Sequence, residues 1–177
     1  MDIRAAKAVI TGGASGLGAG VGRYLASRGA QITLVDLQLE AGQKTAADIG
    51  PSARFIQCDV TQESAVEKTL QAAADAMGGI NLLVNCAGII KRRAEHDPEV
   101  FADVIDINLT GTMRICTAAR AKLKEAKGSI VNTASVLSFF GGGLVPGYAA
   151  SKGGIAQLTK SLAIAYAPDG IRVNAVA

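Results

Sequence analysis

Short apolar runs alternate along the chain with longer segments whose apolar residues recur every third or fourth position. The runs KAVIT (7–11), QITLVD (31–36), ARFIQCDV (53–60), INLLVN (80–85), GSIVNTA (128–134) and IRVNAVA (171–177) are bounded by glycine, proline or polar residues and read as strands. Residues 17–28, 39–49, 63–77, 98–126 and 148–167 carry helical spacing, and several of these segments end at a Gly or just before Pro168. Nearly all-apolar strands separated by helices predict an α/β fold, a parallel sheet covered on both faces in three layers, with right-handed crossovers. The doubly wound order 3-2-1-4-5-6 is expected by analogy with other open parallel sheets. No repeat, low-complexity tract or linker interrupts the pattern, so residues 1–177 are expected to form a single domain.

Composition narrows the function classes. The 177 residues are 49% hydrophobic, enough for one sizeable core, and 18 basic against 15 acidic side chains leave a net charge of +3. The basic residues are scattered except for Lys91, Arg92 and Arg93, and no basic stripe interleaved with aromatics argues for nucleic acid. Cys58, Cys86 and Cys116 lie far apart without CxxC spacing, so neither a disulfide framework nor a metal site is expected, and a reducing, cytoplasmic compartment is the simplest expectation. The N-terminus is too weakly apolar for a signal peptide, and no run approaches the ~18 apolar residues of a membrane span.

TGGASGLG (11–18) lies directly between the first strand and the first helix. Gly12, Gly16 and Gly18 permit a tight turn, close approach of a pyrophosphate, and close helix–strand packing, while the helix N-terminus offers N–H donors and a positive dipole end. A glycine triplet alone is a weak signal and suits a plain tight turn equally well. Asp36 strengthens it: it ends the second strand 18 residues after Gly18, where a carboxylate can bind the adenosine ribose hydroxyls and repel a 2′-phosphate. NAD is therefore expected as cofactor in preference to NADP, and Ser15 and Leu17 of the turn join the candidate contacts. Ligands in such sheets bind beyond the carboxyl ends of the strands. That places Asp59 and Val60 near the adenine, and Asn85, Ala87 and Gly88 under the sugars.

Tyr148 and Lys152 are four residues apart in a helical segment, so they share a face. An ammonium beside a phenol favours the phenolate, so Tyr148 is expected to exchange a proton with an alcohol or carbonyl well below its ordinary pKa of about 10. Lys152 can also hydrogen-bond a nicotinamide ribose. Ser135 ends the fifth strand, 13 residues before Tyr148, where its hydroxyl can orient a substrate oxygen. Asn108 sits in helix-type sequence, where asparagine is mildly unfavourable, and can hold a water that passes protons to Lys152. Taken singly, each of these residues would be structural or a surface pair.

Together, TGGASGLG, Asp36, CDV (58–60), NCAG (85–88), NLTG (108–111), SIVNTAS (129–135), YAASK (148–152) and RVNAVA resemble the short-chain dehydrogenase/reductase family over essentially the whole chain. The resemblance implies a Rossmann-like fold and oxidoreductase activity. It makes Tyr148 the catalytic acid/base, Ser135 the holder of the substrate oxygen and Lys152 the ribose-binding tuner of the tyrosine, with Asn108 completing the tetrad through water. It also implies a homotetramer or dimer packed through the helices at 98–126 and 148–167. Cys86 stands where NNAG is more usual, at a position that mainly offers backbone. The family pattern continues past RVNAVA with Pro-Gly, a substrate loop, further helices and a seventh strand, so the chain is expected to be truncated.

The stretches AGIIKRRAE (87–95) and ASVLSFFGGGLVPGYAASK (134–152) resemble the sugar-acid branch, such as gluconate and 2-deoxygluconate dehydrogenases. On that reading Lys91, Arg92 or Arg93 faces a substrate carboxylate, although a solvated basic loop fits as well. Phe139 and Phe140 either wall the pocket or pack, and His96, between Glu95 and Asp97, is expected on the surface. Two alternatives stand beside this: a 3-oxoacyl-thioester reductase, whose expected NADPH preference Asp36 opposes, and a nucleotide-binding protein without catalysis.

Overall fold

The computed structural model describes residues 2–177. Its strands are β1 (Lys7–Thr11), β2 (Gln31–Asp36), β3 (Ala53–Gln57), β4 (Leu82–Asn85), β5 (Ser129–Thr133) and β6 (Arg172–Val176). They form one parallel six-stranded sheet in the order β3-β2-β1-β4-β5-β6, as expected. Successive side chains on a strand point to opposite faces, and here both faces are buried. Val9, Val35, Leu83 and Ile130 enter one apolar cluster, while Ala8, Ile10, Ile32, Leu34, Leu82 and Val84 enter the other. That is why the strands read as apolar runs rather than as alternating ones.

Helices α1 (Gly16–Ser27) and α2 (Leu39–Ile49) cover the second cluster with Leu25 and Ala46. Helices α3 (Glu63–Met77), α5 (Gly111–Ala126) and α6 (Pro146–Tyr166) cover the first with Leu70, Leu123 and Leu162. The predicted helix at 98–126 is α4 (Pro98–Ile105) and α5 joined by a π-helical segment, Asp106–Thr110, with Asn108 at its centre. α6 begins two residues before the expected start, because Pro146 occupies the first turn, where its missing N–H costs nothing. β3 ends at Gln57 rather than at residue 60, so Cys58, Asp59 and Val60 leave the ladder and turn towards the ligand edge.

Register aligns the carboxyl ends of the strands. Thr11 pairs with Val35 on one side and Asn85 on the other, and Asn85 pairs with Asn132. The turn after β1, Asp36, the segment after β4 and Ser135 therefore emerge at one edge, at the point where the strand order reverses. Two glycines shape the turn. Gly12 has φ +66, and a Cβ there would lie 2.7 Å from Ala87 N. A Cβ on Gly18 would strike the Gly12 carbonyl oxygen, so this glycine lets α1 start against the end of β1.

Gly20 provides the contrast, since a Cβ there meets nothing within 4 Å. Gly18→Ala is expected to lower stability by about 1–3 kcal/mol through overpacking. Gly20→Ala is expected to raise it by about 0.5–1 kcal/mol. Urea unfolding of both variants checks the contrast, and equal effects would contradict the packing described for Gly18.

Candidate active site

A cleft of about 400 Å³ opens at the carboxyl edge of the sheet, between the β1–α1 turn and the ends of β2, β3 and β4. Gly12, Ser15, Gly16, Leu17 and Gly18 line one wall. Ser15 is the N-cap of α1 but makes no side-chain capping bond, and Ala19 N–H is the first to find its acceptor, at Ser15 O. The Ser15, Gly16, Leu17 and Gly18 amides before it remain as donors at the positive end of the helix dipole. A Cβ on Gly16 would meet nothing, so the backbone here is open to close approach by a ligand.

Asp36 stands across the cleft, held at both oxygens: Oδ2 accepts from Ala14 N and Oδ1 from Gln38 N, each at 3.0 Å. Asp59 and Val60 line the next wall, and Asp59 Oδ1 accepts from Thr61 N at 2.9 Å and Thr61 Oγ1 at 2.8 Å. Ala87 and Gly88 form the floor beyond β4. Asn85 sits under the floor rather than in it. Its side chain is buried beneath the cleft instead of lining it, because its Nδ2 donates to Asn132 Oδ1 at 2.9 Å. The floor is backbone; the Asn85 amide supports it from below.

The tyrosine–lysine pair lies at the same sheet edge beyond β5, outside the residues that line this cleft. Lys152 is buried, with Nζ 5.6 Å from the centroid of the Tyr148 ring and 2.6 Å from Thr133 O, to which it donates. Burial pushes the Lys152 ammonium below its ordinary value, while the neighbouring Cys86 thiol pulls it back up. Ser135 caps the short helical turn Val136–Ser138; its Oγ accepts from Leu137 N at 3.1 Å, which leaves the hydroxyl proton free to donate.

Asn108 is buried and heavily engaged. Its Oδ1 accepts from Ile89 N at 2.7 Å, and its Nδ2 donates to Ile89 O at 2.9 Å and Ser151 Oγ at 3.1 Å. Both amide protons are spent, so a water on this residue has only the remaining lone pairs of Oδ1 and of the backbone carbonyl, which already accepts from Thr112 Oγ1. Any relay would therefore run through acceptors.

Three participants escaped the sequence reading. Ser138 Oγ donates to Lys152 O at 2.7 Å and accepts from Ser135 N at 3.2 Å, tying the serine turn to the lysine. Ser151 Oγ joins Asn108 to Tyr148 O, to which it donates at 2.7 Å. Glu95 is buried, and both its oxygens accept backbone bonds. Glu95 lies among Arg93, His96 and Asp97, all exposed, so its surroundings gave no sign of burial. His96 is exposed, as expected, with Nε2 3.0 Å from Gly143 O. Lys91, Arg92 and Arg93 are exposed, and Phe139 and Phe140 are 71% and 67% exposed, so neither phenylalanine packs into the core. Among the described residues there is no group of side chains suited to a metal ion and no helix long and apolar enough to cross a membrane.

A parallel sheet with a glycine turn at its switch point, and a carboxylate ending the neighbouring strand, defines a dinucleotide-binding α/β protein. The chain belongs to the short chain dehydrogenase family, whose pattern matches residues 6–177. These enzymes use NAD(P) nucleotides. It is 37% identical over 191 residues to 3-hydroxyacyl-CoA dehydrogenase type-2 of Bos taurus, an alignment covering 99% of this chain and 73% of that protein. It is 41% identical over 177 residues to cis-4-hydroxycyclohexanecarboxylate dehydrogenase of Sinomonas cyclohexanicum, covering 96% and 71%. It is 36% identical over 172 residues to 3-alpha-(or 20-beta)-hydroxysteroid dehydrogenase of Mycobacterium tuberculosis, covering 96% and 66%. These names span acyl-CoA, cyclohexanecarboxylate and steroid alcohols and do not single out the sugar-acid branch.

The cleft thiol provides a direct check. Cys86 and Cys58 both border the cleft, but Cys86 is half-buried while Cys58 is buried; Cys116 is buried away from it, with its thiol pushed up to about 12 by burial. Burial also raises the Cys86 thiol above its ordinary value, so its thiolate is scarce near neutrality and grows with pH. A thiol-specific reagent is expected to label one cysteine in the native protein, at a rate rising about tenfold per pH unit from pH ~7 to ~9, and the others only after unfolding. Peptide mapping that finds the first label elsewhere than Cys86 would contradict the geometry.

Proposed function

We propose that the protein interconverts a secondary alcohol and a ketone by hydride transfer with NAD, using Tyr148 as acid/base. The observation carrying this reading is Lys152, buried beside the Tyr148 ring and anchored to Thr133 O, at the same sheet edge as the glycine turn. The cleft suits the dinucleotide: free amides in the β1–α1 turn for pyrophosphate, open space at Gly16, and the doubly anchored Asp36 for ribose hydroxyls. A bound nicotinamide supplies the hydride acceptor or donor. Tyr148 moves the proton at the substrate oxygen, and Ser135 donates a hydrogen bond to that oxygen. Lys152 keeps two N–H donors for the ribose after serving Thr133 O. Asn108 holds the segment after β4 through Ile89, and hands protons on only through water on its acceptors.

NAD is preferred because Asp36 repels a 2′-phosphate, and no cation stands in the turn or at Leu37 and Gln38 to offset it. Val136, Phe139, Phe140 and Leu144, on the segment between Ser135 and Tyr148, and Ile90, beside the basic loop, are exposed apolar side chains. That combination favours an alcohol with an apolar body and an anionic group, such as a hydroxyacyl thioester or an alicyclic hydroxy acid, and the names of two of the three relatives agree with it. Sugar acids rest on the two stretches that resemble that branch and on Lys91, Arg92 and Arg93. The oxoacyl reductase reading differs in cofactor, and Asp36 weighs against it. A homodimer or tetramer would bury the exposed Met113 of α5 and Ile164 of α6, and three unpaired thiols suit a cytoplasmic setting.

Purified protein with NAD or NADP and a panel of 3-hydroxybutyryl-CoA, cis-4-hydroxycyclohexanecarboxylate, a 3α-hydroxysteroid and gluconate tests the reading through absorbance of the reduced cofactor. Turnover is expected with NAD on the apolar members. Tyr148→Phe should lower kcat at least about 10²-fold while NADH affinity stays within about twofold, as loss of a general acid/base requires. NADH binding without turnover on any member, or a fully active Tyr148→Phe, overturns the assignment. Asp36→Ala should shift preference towards NADP, and an unchanged ratio would remove Asp36 from the cofactor site.

A further inference from the structure

We propose that Glu95 is a positioning residue of this site, which caps the start of α6 at the backbone of Tyr148 and fastens the basic loop to the same point. The proposal rests on Tyr148 being the acid/base. Glu95 is 1% exposed, and among the described residues no cation pairs with it. Its partners are backbone amides: Oε2 accepts from Tyr148 N and Oε1 from Lys91 N, both at 2.7 Å.

α6 has no cap of its own. Val145 precedes it and offers no side-chain acceptor, Pro146 has no N–H, and the first bond within the helix is Ala149 N–H to Val145 O. The orphan donors of the first turn are thus Gly147 and Tyr148. A carboxylate from 53 residues away takes the Tyr148 donor at the positive end of the helix dipole, where a charge-assisted bond is strongest. Gly147 permits the approach: a Cβ there would sit 3.3 Å from Glu95 Oε2 and 3.4 Å from Val104 Cβ.

The other oxygen closes the 91–95 loop on itself, since Glu95 N–H also donates to Lys91 O. Arg93 N–H donates to Leu144 O at 2.7 Å, and the His96 ring meets Gly143 O. Arg93 adopts φ +70, a strained conformation for a non-glycine residue, and these bonds hold it there. One buried carboxylate therefore sets both the origin of the Tyr148 side chain and the place of the loop carrying Lys91, Arg92 and Arg93. Lys152, one turn on, has independent anchors in Thr133 O and Ser138, so dinucleotide affinity does not depend on Glu95.

The first measurement needs no variant and no turnover: amide exchange of the unmutated protein. The Tyr148 amide should be protected at least tenfold more than the unbonded Gly147 amide, and an unprotected Tyr148 amide overturns the cap. Glu95→Gln keeps the volume but turns an N–H against one of the two amide donors. It should speed Tyr148 exchange at least tenfold, leave exchange beyond Lys152 and NADH affinity within twofold, and lower kcat at least tenfold on whichever panel substrate the parent turns over, with KM changed less than threefold. A kcat within twofold of the parent overturns the proposal. So does a loss of kcat matched by an equal loss of NADH affinity, which marks a general structural role. Tyr148→Phe run in parallel separates the two claims: if that variant stays active the acid/base reading fails, while the exchange result still judges the cap.

Discussion

Thr11, Asn85, Asn132 and Thr159 form a buried line of hydrogen bonds from the strand that launches the glycine turn to the helix that carries Tyr148 and Lys152. Thr11 Oγ1 accepts from Cys86 N and Ala87 N and lies 3.5 Å from Asn85 Oδ1. Asn85 Nδ2 donates to Asn132 Oδ1, Asn132 Nδ2 to Thr159 Oγ1 at 3.0 Å, and Thr159 Oγ1 to Ile155 O at 2.8 Å. Parallel ladders set the spacing of strands but not the placement of a helix above them. This line does so for α6, because a buried polar group left without its partner costs about 1–3 kcal/mol and each member tolerates only one arrangement. Sliding α6 by a turn would break the bond at Thr159 and carry Lys152 away from Thr133 O.

The two parts of the site are built on opposite electrostatic terms. At the dinucleotide end, charge is met by backbone: Asp36 is fixed by two amides, and the N-terminus of α1 offers amides of its own. At the tyrosine end a full ammonium is buried with one carbonyl as its anchor. Burial disfavours that charge, which is the cause of the downward shift at Lys152. An ammonium held there and only partly satisfied has the most to gain from oxygen ligands entering the site.

Most of the fold was legible because fully buried parallel strands leave unbroken apolar runs, and glycines and prolines punctuate them. The glycine turn, Asp36 and the Tyr148–Lys152 spacing were legible because each is a local pattern whose partner lies within one turn or at one strand end. How Asn85 serves the floor turns on what a strand's period of two leaves open: its last side chain points inward or outward according to register, and here it points to Asn132, under the floor. Asn108 looked like an unfavourable helical residue open to water. The π-helical segment that accommodates it, and the grip on Ile89 that fills its amide, depend on the segment after β4. Glu95 could not be read at all, since its partner Tyr148 is remote in sequence and the bond is to backbone, which has no residue type to recognise.

The substrate end follows from the same construction. The segment from Ser135 to Tyr148 must leave β5, turn over the sheet edge and enter α6, and it does so with Val136, Phe139, Phe140 and Leu144 exposed. Scattered apolar residues on a surface need no explanation, but four of them within ten residues, on the segment that leads into Tyr148, are apolar area open to cover. The loop pinned through Glu95 brings a positive run to that segment, with Arg93 bonded to Leu144. A sugar acid would meet the charge and leave the apolar residues uncovered, and a neutral hydrocarbon alcohol would do the reverse. An apolar alcohol ending in an anionic group would use both, so the substrate class proposed above depends on the way the loop is tied down as much as on Tyr148 and Lys152.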